Sequence, residues 1–327
     1  MEDHIAMQST EQHENLAPWT FAQPWGGTGH LADFNGPVHW VDFGGPPEGD
    51  PIVLVHGLGG SHLNWVLVAP ELAERGRVYA IDLPGFGMST SAGRAASVQA
   101  NAAILNRFLR EIVGAPAVVV GNSMGGMVSL LAADAQPESV AGLVLVDASL
   151  PVPRQKPDLQ VTSQFLIYAV PYFGQRYMAF SRGRMSDRQL VERVINLCFA
   201  DPSRASAELM DAATALVGHR RTMPAQDAAF LQAARSLMLV LARPQRYQAV
   251  MNRVDAPVLI VHGERDRLVP IAAAQTALAA NKGWQSAILP GVGHTPQLET
   301  PALVLEHVTS WLDSHELAVP PTDRKGR

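Results

Sequence analysis

The chain has 327 residues, 47% of them hydrophobic and 17% charged, with a formal net charge of −5. That composition describes a packed globular protein with enough apolar material for one large core, and excludes a disordered chain. The acidic balance gives no electrostatic footprint for nucleic acid, and the single cysteine, Cys198, excludes an intramolecular disulfide framework.

The start of the chain is polar and acidic (Glu2, Asp3, Glu11, Glu14), where a secretory signal would be basic and then apolar. No stretch approaches about 18 uninterrupted apolar residues, the length that reads as a membrane span. These features predict a cytoplasmic protein without a transmembrane segment. Arginine outnumbers lysine 22 to 3, which suits a GC-rich bacterial genome.

Residues 1–23 predict a loosely ordered lead-in, with Trp19 and Phe21 offering apolar side chains for docking. His39 to Phe43 alternates polar and apolar residues, as an antiparallel edge strand does. Pro51 to Val55 is a continuous apolar run, which suits a strand buried on both faces. Similar runs follow at Val78 to Leu83, Ala117 to Val120, Leu143 to Val146, Val258 to Val261 and Ala287 to Leu289. Helical patterns lie between them, at Asn64 to Arg75, Val98 to Val113, Met127 to Ala135, Ile271 to Ala280 and Ala302 to Leu312. Alternation of this kind predicts an α/β fold with a mostly parallel sheet and helices on both faces. Residues 24–150 and 254–315 are expected to form that core, and 316–327 a tail.

The alternation breaks over residues 151–253, which hold Pro151, Pro153, Pro157 and Pro171 and then helical patterns at Asp187 to Phe199 and Ala225 to Ala242. A helical cap inserted between two sheet strands is expected there. It carries 14 basic and 7 acidic residues, a net of +7 against −12 for the rest of the chain. Docking of a basic insertion on an acidic core accounts for this. Attraction of anionic substrates or lipid surfaces is the second reading.

The chemistry concentrates at Gly121-Asn122-Ser123-Met124-Gly125, between the β-branched run Val118 to Val120 and an Ala- and Leu-rich helix. A strand, Gly-x-Ser-x-Gly and a helix in that order form a sharp turn that lifts the serine clear of the sheet. The bland alternative is a serine that merely caps the helix. A serine hydroxyl needs a base, and the base a carboxylate to orient it. His294 follows a strand in the glycine-rich Pro290-Gly291-Val292-Gly293-His294, and Asp266 follows another in Gly263-Glu264-Arg265-Asp266. Glu264 and Asp147 compete with Asp266 for the carboxylate role. Two backbone N–H groups must stabilise the developing oxyanion. Met124 is expected to supply one and Leu58, in His56-Gly57-Leu58-Gly59-Gly60, the other, with Gly59 second. Gly57-Leu58-Gly59-Gly60-Ser61-His62 and the later Asp82 imitate a dinucleotide fingerprint, but His62 stands where a third glycine belongs. No cofactor and no metal are expected.

From about Gly36 to Leu312 these segments resemble the α/β-hydrolase fold superfamily. His56 to Gly60 resembles its oxyanion loop, Asp82 to Ser89 the loop after its fourth strand, and the segments around Ser123, Asp266 and His294 its nucleophile, acid and base. The resemblance implies an eight-stranded sheet. Relatives that open epoxides or remove halide use an aspartate nucleophile, where this chain has Ser123. The Asn122-Ser123-Met124-Gly125-Gly126 run is similar to that of the meta-cleavage-product hydrolases, which usually place tryptophan after the histidine, where this chain has Thr295. Cofactor-free haloperoxidase relatives tend to carry an aromatic residue at the position of Leu58.

The expected function is ester hydrolysis through an acyl-enzyme on a small, apolar substrate, with Ser123, His294 and Asp266 as the triad. Phe165, Leu166, Tyr168, Phe173, Phe230 and Met238 are candidates to line an acyl pocket. The alternatives are a carbon–carbon hydrolase that grips an anionic substrate with arginines of the insertion, and a non-catalytic receptor on the same fold.

Overall fold

A computed structural model describes residues 20–91, 93–152 and 183–315. Eight strands form one sheet: β1 (Thr28–Asp33), β2 (Pro37–Asp42), β3 (Ile52–Val55), β4 (Val78–Ile81), β5 (Ala117–Asn122), β6 (Val140–Val146), β7 (Val258–Gly263) and β8 (Gln285–Leu289). Their spatial order is β1-β2-β4-β3-β5-β6-β7-β8. The β1–β2 and β2–β4 pairs are antiparallel, and every pair from β4 through β3 to β8 is parallel.

The helices in chain order are α1 (Ala69–Leu72), α2 (Val98–Phe108), α3 (Met124–Ala135), α4 (Asp187–Cys198), α5 (Ala207–Arg221), α6 (Gln226–Leu241), α7 (Pro244–Met251), α8 (Ile271–Ala280), α9 (Pro296–Glu299) and α10 (Pro301–Ser314). The sheet is covered on both faces. Along β3, Val53 and Val55 join a core with Leu105 and Phe108 of α2 and Met127 and Leu130 of α3. Their neighbours Ile52 and Leu54 join the opposite core, with Val304, Val308 and Trp311 of α10. This two-sided burial is why β3, β4 and β5 read as unbroken apolar runs. Each fully buried valine or leucine contributes roughly 1.5–3 kcal/mol.

The sequence expectations differ from the structure in a few elements. The seven expected strands omit β1, whose residues alternate too weakly in Thr28-Gly29-His30-Leu31-Ala32-Asp33 to stand out. Asn64 to Arg75 is not one helix. A 3₁₀ turn at His62–Trp65 is capped by Ser61, whose side chain accepts from Leu63 N, and the short α1 begins after it with Pro70 in its first turn. Between β6 and β7 the described part of the insertion is helical, and α5 and α7 join the two expected helices. Phe165, Leu166, Tyr168 and Phe173 lie outside the described residues.

Parallel pairing brings the C-terminal ends of β3, β5, β6, β7 and β8 to one edge, and the chain leaves each through a loop that carries a candidate residue. The close approach is set by Gly125. A Cβ there would stand 2.1 Å from Val55 O and 2.6 Å from His56 O, both backbone atoms. Gly125→Ala is therefore expected to lower the melting temperature by roughly 6–12 °C, the shift that about 3 kcal/mol of overpacking produces in a domain of this size. An unchanged calorimetric melt would show that the loop can retreat without penalty.

Candidate active site

Ser123 occupies the turn between β5 and α3 at φ 54° and ψ −116°, a region that non-glycine residues adopt only when their surroundings hold them there. Backbone hydrogen bonds do so. Ser123 N donates to Val146 O at 3.0 Å, and Ser149 N and Gly126 N donate to Ser123 O at 3.0 and 3.1 Å. Glycine is forced at Gly121 as well, where a Cβ would lie 2.6 Å from Gly125 O. The turn excludes the bland reading of Ser123. It accepts no side-chain cap bond from α3.

His294 and Asp266 are brought together. His294 Nδ1 lies 2.7 Å from Asp266 Oδ2, both side chains being almost wholly buried. Asp266 Oδ1 accepts from Leu268 N and Val269 N at 2.7 and 3.0 Å. With its acceptors engaged in this way, Asp266 requires a proton on His294 Nδ1, which leaves Nε2 as the ring nitrogen that Asp266 does not engage. Burial opposes ionisation of Asp266, but His294 and the hydrogen bonds around it hold its pKa below the ordinary value.

The competing carboxylates are placed elsewhere. Glu264 Oε2 accepts from Gly291 N at 3.1 Å on the exposed side of the loop. Asp147 follows β6 at φ 44°, fully buried beside Asp266, and its Oδ1 accepts from Gly263 N at 2.9 Å. Burial and the charge of Asp266 push its pKa well above the ordinary carboxylate range. Two carboxyl groups thus share one buried pocket, one ionised and one protonated.

The loop after β3 abuts the serine, since a Cβ on Gly57 would lie 3.1 Å from Ser123 Cβ. His56 fastens that loop. Its Nε2 accepts from Leu83 N at 3.0 Å, so the proton sits on Nδ1, which donates to Gly57 O at 2.7 Å. Burial lowers its pKa to about 4, and the imidazole is neutral. Leu58 lies on this loop, and Met124 is the first residue of α3, where a helix leaves N–H groups without intrahelical partners.

Asp82 is committed to structure. Its buried carboxylate lies 2.8 and 2.9 Å from Nδ1 of His39 and His62 and accepts from His62 N and Met88 N. It is fully buried and already holds four donors, so a ribose hydroxyl has no surface by which to reach it. Both imidazoles donate directly to one oxygen, so in this arrangement their protons stand where a metal ion would otherwise be held. Asp147, His262 and Asp266 also lie close together. His262 Nε2 bonds to Val269 O at 3.0 Å and so carries the proton, which removes it as a ligand on that side.

Ser123 and His294 open into one cavity of about 630 Å³, lined on its far side by α4, α5 and α6. Its wall is mostly apolar, with Leu209, Met210, Leu216, Phe230 and Met238 among the lining residues. Cys198 reaches the same wall, partly buried, its thiol pKa pushed up to about 12 by burial and the two nearby aspartates. One polar residue escaped the sequence reading. Glu299 ends α9 with its side chain wholly buried and accepts from Gly293 N at 2.8 Å. A buried glutamate next to the base loop cannot be distinguished by type from the exposed Glu306 of α10.

Residues 50–301 match the family model described as the alpha/beta hydrolase fold, and the chain belongs to that family. It is 29% identical to the dihydrolipoyllysine-residue acetyltransferase component of the acetoin cleaving system of Pseudomonas putida, over 85% of this chain and 67% of that one. It is 27% identical to the pimeloyl-[acyl-carrier protein] methyl ester esterase of Yersinia pseudotuberculosis, over 81% of this chain and 93% of the relative. The fold superposes on a mutant of the haloalkane dehalogenase DatA from Agrobacterium tumefaciens C58 with a TM-score of 0.74 at 17% identity, covering 90% of this chain and all of the other. No helix among the described residues is long and apolar enough to cross a membrane.

The opposed pKa shifts of the two aspartates predict opposed effects on stability. Above the ordinary carboxylate pKa, folded Asp147 keeps a proton that the unfolded chain releases, so it withdraws stability as pH rises through that window. Asp266 contributes stability above the ordinary pKa and loses it as pH falls through its lowered value. Between about pH 3 and pH 7, the melting temperature of Asp147→Asn should gain on the parent while that of Asp266→Asn falls behind. Parallel trends in the two variants would overturn the assignment of charge.

Proposed function

We propose that this chain is a serine hydrolase that cleaves carboxylic esters through an acyl-enzyme. The observation that carries the reading is the 2.7 Å hydrogen bond from His294 Nδ1 to Asp266, which leaves Nε2 as a base in the cavity shared with Ser123. Ser123 Oγ attacks the ester carbonyl as His294 Nε2 takes its proton. Asp266 holds the ring and stabilises the imidazolium. The N–H groups of Leu58 and Met124 receive the oxyanion, each worth about 3 kcal/mol of barrier. His294 then protonates the leaving alcohol. Water, deprotonated by the same imidazole, attacks the acyl-enzyme and releases the acid. Each step is served by a protein group, so the mechanism calls for no metal or organic cofactor.

In this reading residues 24–150 and 254–315 form the catalytic body, and residues 151–253 act as a cap whose helices close the cavity. The mostly apolar wall supports a small, apolar acyl group, and the relative named as a methyl ester esterase supports an ester as the scissile bond. A carbon–carbon hydrolase would use the same serine. Its supporting observation is Arg220, which lines the cavity with Nη1 3.5 Å from Gly59 O and could face an anionic substrate.

Hydrolysis of p-nitrophenyl esters from acetate to laurate tests the proposal. Ser123→Ala should remove turnover by at least about 10³-fold, and Asp266→Asn should lower kcat by roughly 10⁴, the loss expected when the imidazole holds its proton on the wrong nitrogen. Turnover that survives in folded Ser123→Ala would take the serine out of the mechanism. Silence toward esters with cleavage of ring-fission dienoates would transfer the chain to the second reading.

A further inference from the structure

Glu299 lies between two parts of the chain that are far apart in sequence. Its Oε2 accepts from Gly293 N at 2.8 Å and Ala200 N at 3.1 Å. Its Oε1 accepts from Asp201 N at 3.0 Å and lies 3.5 Å from Arg204 Nη1. One donor therefore immediately precedes His294, and three belong to the stretch between α4 and α5 in the helical insertion. A carboxylate with no exposed surface is tolerated only when its acceptors are occupied like this.

The backbone repeats the connection. His294 N donates to Cys198 O at 2.6 Å, and a Cβ on Gly293 would meet that oxygen at 2.3 Å and Ala200 N at 2.6 Å. On its other side, His294 O accepts from Asn122 Nδ2 at 3.1 Å, beside the serine. The peptide units around His294 are thus held between the nucleophile turn and the insertion.

We propose that Glu299 is a positioning residue that locks the base loop to the helical insertion, so that seating of residues 198–204 aims the His294 imidazole. It rests on the serine-hydrolase reading for its effect on turnover, but not for its effect on the geometry of His294. A displacement of about 1 Å at a reacting group is enough to lower the rate roughly 10²-fold. Loss of the lock therefore acts on kcat. A substrate as short as an acetyl ester makes little contact with the insertion, and its KM is spared.

The test compares Glu299→Gln and Arg204→Ala with the parent in the full chain, using p-nitrophenyl acetate and the low-field proton resonance of the His294–Asp266 hydrogen bond, assigned by its loss in His294→Gln. The glutamine keeps the size of the side chain but turns an N–H₂ group toward backbone donors. Glu299→Gln should lower kcat by 10- to 100-fold with KM within threefold, and should broaden or abolish the resonance. Arg204→Ala, at a partly exposed partner that leaves the carboxylate in place, should lower kcat two- to fivefold. Parental kcat in folded Glu299→Gln, or a fall in kcat with the resonance intact, overturns the proposal. Should Glu299→Gln fail to fold, Arg204→Ala decides, and parental kcat there overturns it. If the parent shows no Ser123-dependent ester turnover, the resonance decides: its loss in Glu299→Gln supports the lock and its persistence refutes it.

Discussion

A serine held at φ 54° between a strand and a helix is the constraint on which the rest of the site depends. Such backbone costs of order 1–3 kcal/mol and persists only where the surroundings over-determine it. Here Val146 of β6 accepts from Ser123 N and Ser149, just after β6, donates to Ser123 O, and Gly121, Gly125 and Gly126 let β3, β5 and the segment after β6 approach to distances that a Cβ would forbid. The strain is thus supported by the middle of the parallel sheet. The same closeness sets the loop of Leu58 against the serine, and through Asn122 it anchors the carbonyl of His294.

Electrostatics then separates groups that composition makes alike. Asp147 and Asp266 are both aspartates at strand ends, both buried, and share one pocket. Asp266 faces an imidazole and two backbone N–H groups and stays charged. Asp147 faces one N–H group and the negative charge of its neighbour, and keeps its proton. Buried histidines show the same logic. His56 is made neutral by desolvation and fastens a loop, whereas His39 and His62 sit on a carboxylate. A buried titratable group in this fold takes its state from desolvation and from the few atoms it faces.

Most of the frame was legible because parallel strands buried on two faces are written as continuous apolar runs. β3, β5, β6 and β7 are all of this kind. The positions of Ser123, Asp266 and His294 were legible for a related reason, since each follows such a run within a glycine-containing loop. β1 escaped because an edge strand needs only weak patterning, and α5 because its alanines spread apolar surface around the whole helix. Its start was nonetheless marked by Ser206, whose side chain accepts from Leu209 N. Glu299 escaped for a deeper reason. Its four donors come from Gly293 and from residues 200–204, about a hundred positions earlier, and no local pattern announces a partner at that distance.

The central claim is that Ser123 is an activated nucleophile, its hydroxyl served by an imidazole that Asp266 orients. Covalent labelling with a fluorophosphonate, read by peptide mass spectrometry, tests it without assuming a substrate. The account predicts one stoichiometric adduct on the peptide carrying Ser123, absent in Ser123→Ala and at least a hundredfold slower to form in His294→Gln. A folded protein that forms no adduct, or is labelled at another residue with Ser123 untouched, would contradict it.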